Sequence, residues 1–228
     1  MQPNENYAVA ARRVTSTDPV DDFPTPPWAT RALLEHVIKP RGRVWEPACG
    51  RGYMSRPLKE CVGPDNVFST DIVDYGSKDQ DGVLDFLRPR VSLKEANWMI
   101  TNPPFKSAEW FIKQALGIGI PNVAVLVRTQ FLEGIGRFSN LWSWRAPSIV
   151  AQFAERVPMV QGRVDKEATT ATAYCWIVWA DGVKDKTKMV WIPPCRRELE
   201  KLNDYLRSEE HTSELQSLAY LVCRLLLE

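Results

Sequence analysis

Five consecutive apolar residues constrain the fold of this chain more than any other feature. The run Val123-Ala124-Val125-Leu126-Val127 is too continuously apolar for a strand that has one face in water. Such a strand is typical of the centre of a parallel sheet that helices cover on both faces. Strand and helix patterns alternate along the rest of the chain, so the sequence predicts a doubly wound α/β domain. Ligands of such domains bind beyond the carboxyl ends of the strands.

The predicted elements follow from hydrophobic periodicity and from breaker residues. Strands are predicted at 43–46, 66–71, 98–101, 123–127, 149–153 and 174–179, and residues 82–87 form a strand or a strand-like turn. Thr30 is predicted to cap a first helix that ends before Pro40, and Ser107 to cap a later one that Gly117 stops. The segment 23–28, FPTPPW, is predicted to be stiff and extended.

Composition narrows the classes of function. The chain has 44% hydrophobic and 25% charged residues, a formal net charge of +1, and the proportions of a soluble globular protein. It has no apolar run long enough to cross a membrane and no secretory leader, so a cytoplasmic location is expected. Five scattered cysteines without a CxxC pair argue against a disulfide framework and a zinc site. With only two histidines, histidine-based catalysis and histidine-ligated metals are disfavoured.

Both termini are predicted to lie outside the domain, which leaves a single domain over residues 21–206. Residues 1–20 are polar without an apolar period and are expected to be a disordered lead-in. Residues 207–228 resemble the in-frame translation of a sequencing adapter, which predicts that they are not biological. The alternative for this tail is a short amphipathic helix.

A glycine turn follows the first predicted strand. Gly50 and Gly52 flank Arg51 directly after the strand that contains Glu46, and glycines there allow a tight turn and close approach of a ligand. The motif is neither GxGxxG nor a GKS/T phosphate loop, which disfavours dinucleotides and nucleoside triphosphates. Asp71 ends the next strand, where a carboxylate can accept the two hydroxyl protons of a ribose. An ordinary turn at these residues, and a helix cap at Asp85, remain alternative interpretations.

A rigid polar motif follows the strand at 98–101. Asn102-Pro103-Pro104-Phe105 joins a side-chain amide to two prolines, which hold the backbone rigid, and then to an aromatic ring. A simple Asn-Pro turn after a strand is the alternative.

The glycine turn, Asp71 and NPPF, in this order, resemble the S-adenosylmethionine-dependent methyltransferases. The likeness is greatest to the N6-adenine-specific DNA methyltransferases, particularly the small stand-alone enzymes of phages and prophages, and it covers about residues 22–180. It implies a class I, Rossmann-like fold with a mostly parallel, seven-stranded sheet. Glu46 stands where the family often has Asp, and Ala48 replaces a frequent second proline.

The resemblance also implies the site residues and the reaction. The residues implied to bind S-adenosylmethionine are Phe23, Thr25, Pro26, Glu46, Ala48, Gly50, Gly52, Asp71, Ile72, Asp85 and Phe86. The expected products are N6-methyladenine and S-adenosylhomocysteine, formed without a metal. The Asn102 side-chain oxygen and the Pro103 carbonyl would each accept one N6 hydrogen, held by the rigid Pro103-Pro104 geometry, and Phe105 would stack on the flipped base.

The implied partner is duplex DNA, bound by a cytoplasmic monomer in a bacterial or phage-infected cell. The candidate basic contacts are Lys106, Arg128, Arg137, Arg145, Arg163 and Lys166, each of which could equally be a solvated surface charge. The loop 160–166 is the preferred DNA-facing element.

Two other functions remain open. The same NPP device could methylate the N5 amide of a protein glutamine or an RNA base, although Phe105 and the short N-terminus count against the glutamine enzymes. A non-catalytic nucleic-acid-binding protein of the same fold is the other alternative, and the intact Gly50, Gly52, Asp71 and Asn102 argue against it.

Overall fold

One mixed sheet organises the protein. The computed structural model describes residues 21–88, 95–181 and 186–205. The strands in these residues are β1 (Val44–Glu46), β2 (Val67–Asp71), β3 (Gly82–Val83), β4 (Trp98–Thr101), β5 (Asn122–Arg128), β6 (Ile149–Phe153), β7 (Tyr174–Trp179) and β8 (Lys188–Ile192). Their order in the sheet is β3-β2-β1-β4-β5-β7-β6-β8. β7 runs antiparallel to β5 and β6, and all the other pairs are parallel.

Helices cover both faces of the sheet. They are α1 (Pro27–His36), α2 (Ser55–Val62), α3 (Ala108–Gly117), the single turn α4 (Ile135–Arg137) and α5 (Arg196–Leu199). α1 and α2 pack on one face and α3 on the other, which divides the core into two clusters. The central strand β5 contributes to both, because successive side chains of a strand point to opposite faces. Ala124 and Leu126 face α1 and α2, whereas Val123, Val125 and Val127 face α3.

The strand order reverses between β1 and β4, and this reversal fixes where a ligand can bind. From β1 the chain first adds β2 and β3 on one side and then crosses to add β4 and β5 on the other. The connections leave in opposite directions at this point and open a crevice above the carboxyl ends of the strands. The ends of β1, β2 and β4, at Glu46, Asp71 and Thr101, therefore share one edge of the sheet.

The doubly wound α/β fold predicted from the sequence is confirmed, and six of the predicted strands form within about one residue of their expected bounds. The expected number of seven strands is wrong, because the described residues form eight. β8 was not predicted because its sequence does not alternate between polar and apolar residues. It pairs with β6 at the sheet edge, and its apolar Met189 and Trp191 are about half exposed or more. β3 is only two residues long, and residues 84–87 continue as a turn.

The first helix begins three residues before the predicted cap. Pro27 occupies its first turn, where the fixed φ of proline suits a helix and its missing N–H costs nothing. Thr30 consequently lies inside the helix, and its buried hydroxyl has no hydrogen-bond partner among the described residues. Ser107 does precede α3, but its side chain makes no capping hydrogen bond.

The described residues also bear on what the composition predicted about membrane spans, metal sites and disulfides. Within the described ranges, no helix is long and apolar enough to cross a membrane, and no group of three or more His, Cys, Asp or Glu side chains could hold a metal ion. Cys49, Cys61, Cys175 and Cys195 are free thiols. The predicted lead-in and the predicted non-biological tail lie outside the described residues.

Candidate active site

A cavity of about 500 Å³ opens at the carboxyl ends of the strands, beside the point where the strand order reverses. Its walls come from the turns after β1, β2, β3 and β4 and from the segment that precedes α1. All the predicted catalytic residues line it, and so do all the predicted cofactor residues except Pro26 and Gly52: Phe23, Thr25, Glu46, Ala48, Gly50, Asp71, Ile72, Asp85, Phe86, Asn102, Pro103, Pro104 and Phe105.

The two glycines of the turn after β1 have different surroundings. Gly50 has a φ of +51°, and a Cβ built on it would meet nothing within 4 Å, so its missing side chain leaves room in the cavity. Gly52 has a φ of +80° and is buried, and a Cβ there would lie 2.2 Å from the Cβ of Asp79. Gly52 is therefore required by packing behind the turn, whereas Gly50 allows close approach from the cavity side.

Asp71 joins the end of β2 to the glycine turn. Its carboxylate accepts hydrogen bonds from the backbone N–H groups of Gly50, at 2.9 Å, and Val73, at 3.0 Å. Burial raises the pKa of this carboxyl, and these N–H groups oppose the rise. A carboxylate has about four lone-pair positions, so capacity remains for a ligand hydroxyl on the cavity side.

Glu46, at the end of β1, is a buried carboxyl on the cavity wall. Only 1% of its surface is exposed. Burial raises its pKa to about 8, and the nearby carboxylate of Asp71 adds to the rise, against a hydrogen bond donated by the Ser55 hydroxyl. A cation that enters the cavity beside Glu46 would favour the ionised form.

Asn102 has a fixed amide orientation. Its Nδ2 donates to the backbone carbonyl of Phe23 at 2.9 Å. Because only the amide nitrogen can donate to a carbonyl, Oδ1 must be the opposite end of the group. Oδ1 is buried and has no hydrogen-bond partner in the described part of the chain. Buried acceptors are normally paired, so an unpaired one in a residue that lines a cavity is a candidate acceptor for a ligand donor.

Phe105 is held from its backbone and contacted on its ring. Its N–H donates to the Asp21 carboxylate at 2.6 Å. The Phe23 ring lies 5.2 Å from its ring centroid, and the Arg128 guanidinium lies over the ring at 4.0 Å. A flat cationic group on the ring shows that this surface accepts a planar partner.

The predicted basic contacts are not all near the cavity. Lys106 lines the cavity, and Arg128 reaches its edge through Phe105. The Arg137 guanidinium instead donates to the carbonyls of Phe131 and Glu133, so it braces its own loop.

The remaining candidates lie farther out. Arg163 pairs with Asp165 at 3.0 Å in the exposed turn of the 160–166 loop, and Lys166 is also exposed. The Arg145 carbonyl accepts a hydrogen bond from the Trp179 indole. Trp179 pairs with Val123 at the start of β5, so Arg145 lies near the amino ends of the parallel strands, opposite the cavity.

Sequence reasoning missed a group of polar residues at the cavity. Arg51, between the two glycines, donates to the Asp22 carboxylate at 2.5 Å, and its guanidinium lies 5.1 Å from the centre of the Tyr75 ring. Asp21 also lines the cavity. The Asp21-Asp22 pair directly before FPTPPW was the only sequence signal for this contact, and acidic pairs are common on surfaces.

The cavity walls carry an excess of negative charge. The lining aspartates are Asp21, Asp22, Asp71 and Asp85, against the two cations Arg51 and Lys106, and Glu46, with its pKa raised to about 8, adds a fifth acidic group that is mostly protonated near neutral pH. Apolar rings and prolines form the rest of the walls beside these groups. The arrangement suits a ligand that carries positive charge together with hydroxyl donors.

The sequence matches no protein-family model and no curated protein. Among solved structures, the chain is similar to the methyltransferase subunit of the type I restriction-modification system from Streptococcus thermophilus, with 12% identity and a TM-score of 0.50 over 89% of this chain. It is also similar to a modification subunit of a putative type I restriction enzyme from Vibrio vulnificus YJ016, with 16% identity and a TM-score of 0.52 over 87%.

The M protein of the type I restriction enzyme EcoKI gives 16% identity and a TM-score of 0.51 over 86% of this chain. The matches cover 52%, 53% and 54% of these subunits, so the chain spans about half their length. At such low identity the likeness concerns the fold. The strand order, the cavity at its reversal point and these neighbours give the chain the Rossmann-like α/β fold of the class I methyltransferases.

Proposed function

We propose that this protein transfers a methyl group from S-adenosylmethionine to the N6 amine of adenine in DNA. The observation that carries the proposal is the Asn102 side-chain oxygen. It is unpaired within the described residues, it precedes a rigid Pro-Pro motif, and it belongs to a residue that lines an acidic cavity.

The residues of the cavity fit S-adenosylmethionine, which when bound supplies a methyl group activated by a positive sulfonium. Asp71 has carboxylate capacity for the ribose hydroxyls, and Gly50 leaves space beside it. The Thr25 hydroxyl is buried on the wall and has no protein partner among the described residues, so it can bind the methionine end. The excess of carboxylates favours a cofactor that carries a sulfonium and an ammonium.

Asn102 and Pro103 supply the acceptors for the amine. The lone pair of the adenine N6 is delocalised into the ring, which makes the amine a poor nucleophile. Two fixed acceptors for its two hydrogens draw the nitrogen toward a pyramidal geometry and increase the electron density of its lone pair. Asn102 Oδ1 is one acceptor and the Pro103 carbonyl is the other. The prolines keep their geometry fixed before the base arrives.

Phe105 provides the surface on which the base stacks. A flipped adenine that stacks on its ring takes the place of the Arg128 guanidinium, which lies there at 4.0 Å. Arg128 has an exposed side chain, so it can move toward solvent or toward a DNA phosphate. Lys106 and the 160–166 loop are further candidates for contact with the DNA backbone.

The proposal is tested with S-adenosylmethionine labelled with tritium in its methyl group. The protein is incubated in parallel with duplex DNA, with RNA and with a protein extract, and the label in each polymer is counted. Label in DNA that digests to N6-methyldeoxyadenosine is expected. Label confined to RNA or protein would replace this substrate with another, and S-adenosylmethionine binding without transfer to any polymer would support a non-catalytic protein.

A further inference from the structure

Three consecutive residues before α1 hold both ends of the NPPF motif and one loop outside the cavity. The Asp21 carboxylate accepts the N–H of Phe105, and the Phe23 carbonyl accepts Nδ2 of Asn102. Between them, the Asp22 carbonyl accepts the N–H of Gly162 at 2.8 Å, in the loop after β6. The segment 21–23 therefore fastens both ends of the NPPF motif from a region 79 and 84 residues away in sequence.

The Asp21 contact holds a stretch of backbone that has few hydrogen-bond donors of its own. Pro103 and Pro104 have no N–H, so the N–H of Phe105 is the first backbone donor after Asn102. At 2.6 Å from Asp21, this N–H makes a short, charge-assisted hydrogen bond, a class about twice as strong as bonds between neutral groups. Asp21 thus restrains the backbone at Phe105, two residues after Pro103.

The two contacts act on the same geometry from opposite ends of the motif. Phe23 decides which end of the Asn102 amide is free to accept, and Asp21 decides where the backbone beyond Pro103 lies. Methyl transfer depends on the alignment of acceptors and nucleophile, and a misplacement of about 1 Å can cost about a hundredfold in rate. Removal of either restraint should therefore slow the chemical step more than it weakens binding.

We propose that Asp21 is a positioning residue for methyl transfer, because its carboxylate fixes the Phe105 N–H and thereby the acceptor carbonyl and the stacking ring of the NPPF motif. The inference rests on the proposed function. Asp21 does not contact the reacting atoms, and it acts through the NPPF motif, which does.

The test compares Asp21→Ala, which removes the acceptor, with Asp21→Asn, which keeps an oxygen that can accept the same N–H. Asp65→Ala is the matched control, because Asp65 is an exposed aspartate beside the start of β2, at the end of the strands opposite the cavity. Single-turnover methyl transfer is measured with saturating S-adenosylmethionine and DNA, and cofactor affinity is measured by calorimetry. Exchange of the Phe105 amide hydrogen is followed by NMR.

Asp21→Ala should lower the single-turnover rate at saturating cofactor by about tenfold to a hundredfold. Any loss of cofactor affinity from the missing carboxylate charge should be equal in Asp21→Ala and Asp21→Asn, because both variants lack that charge. The Phe105 amide should exchange faster in this variant. Asp21→Asn should recover most of the rate and the protection, and Asp65→Ala should match the wild type in both.

A wild-type rate or unchanged Phe105 exchange in folded Asp21→Ala would overturn the inference. Equal losses of rate in Asp21→Ala and Asp21→Asn would overturn it too, since charge and not the hydrogen bond would then matter. If the wild type labels RNA or protein instead of DNA, the proposed substrate fails, and the same rank order on the labelled acceptor still decides the role of Asp21. A wild type that labels no acceptor contradicts both proposals.

Discussion

Replacing Asn102 with alanine should slow methyl transfer by about a hundredfold to a thousandfold, or about 2.7–4 kcal/mol in the activation free energy. This is the usual cost of losing one preorganised polar partner of the transition state. The structure supplies the reason for such a loss, since Oδ1 is the free end of an amide whose other end is fixed by the Phe23 carbonyl at 2.9 Å.

The same substitution should affect stability far less than rate. It removes one neutral hydrogen bond, worth about 1 kcal/mol, which should shift the melting temperature of a chain of this size by about 2–4 °C. Cofactor affinity should barely change, because Asn102 acts on the acceptor base. The effect on rate and the effects on folding and binding can therefore be separated in one variant.

Asn102→Asp is the informative companion variant. A carboxylate can still accept an N6 hydrogen, but it cannot donate to the Phe23 carbonyl, so it keeps the acceptor and loses its fixed orientation. Single-turnover rates with saturating S-adenosylmethionine and duplex DNA should fall in the order Asn, Asp, Ala. An alanine variant that methylates DNA at the wild-type rate would refute the role given to the motif.

Three further predictions concern the cofactor half of the cavity. Gly50→Ala should keep the fold and weaken S-adenosylmethionine binding in calorimetric titration. Gly52→Ala should lower the free energy of unfolding by about 1–3 kcal/mol in chemical denaturation, because its Cβ would meet Asp79 at a positive φ. Equal effects of the two variants on stability would contradict this prediction. Asp71→Ala should weaken the same binding by about 1.5–3 kcal/mol, and unchanged affinity in a folded variant would remove Asp71 from the site. Burial raises the pKa of Glu46 to about 8, so the folded state holds a proton that the unfolded chain releases at its ordinary carboxyl pKa. The unfolding free energy should therefore fall as pH rises from about 5 to 8. Glu46→Gln should flatten that slope in chemical denaturation, and an unchanged slope would show that Glu46 is not its source.

The sequence was sufficient to predict every strand except β8, and to predict many of the residues that line the cavity. Runs such as residues 174–179 are apolar, aromatic or β-branched throughout, and this pattern has few alternatives to a buried strand. Once the strands are parallel, their carboxyl ends share one edge, so Glu46, Asp71 and Asn102 had to converge.

The contacts of Asp21 could not be predicted in the same way. It lies 84 residues from Phe105 in sequence, and neither its charge nor its neighbours indicate that its carboxylate would accept a backbone N–H. The start of α1 was misplaced for a related reason, because the preference of Pro27 for a first turn outweighed a cap at Thr30. Arg137 looked like a DNA contact in the sequence, but the carbonyls that hold it belong to its own turn.

Methylation of adenine N6 by this protein is tested most directly in the DNA of cells that express it and have no adenine methylation of their own. The DNA is digested completely and the nucleosides are identified by mass spectrometry, with cells that express Asn102→Ala as the matched control. N6-methyldeoxyadenosine is expected with the wild type, and almost none is expected with the variant. Methylcytosine alone, or equal N6-methyldeoxyadenosine from both proteins, would contradict the proposed function.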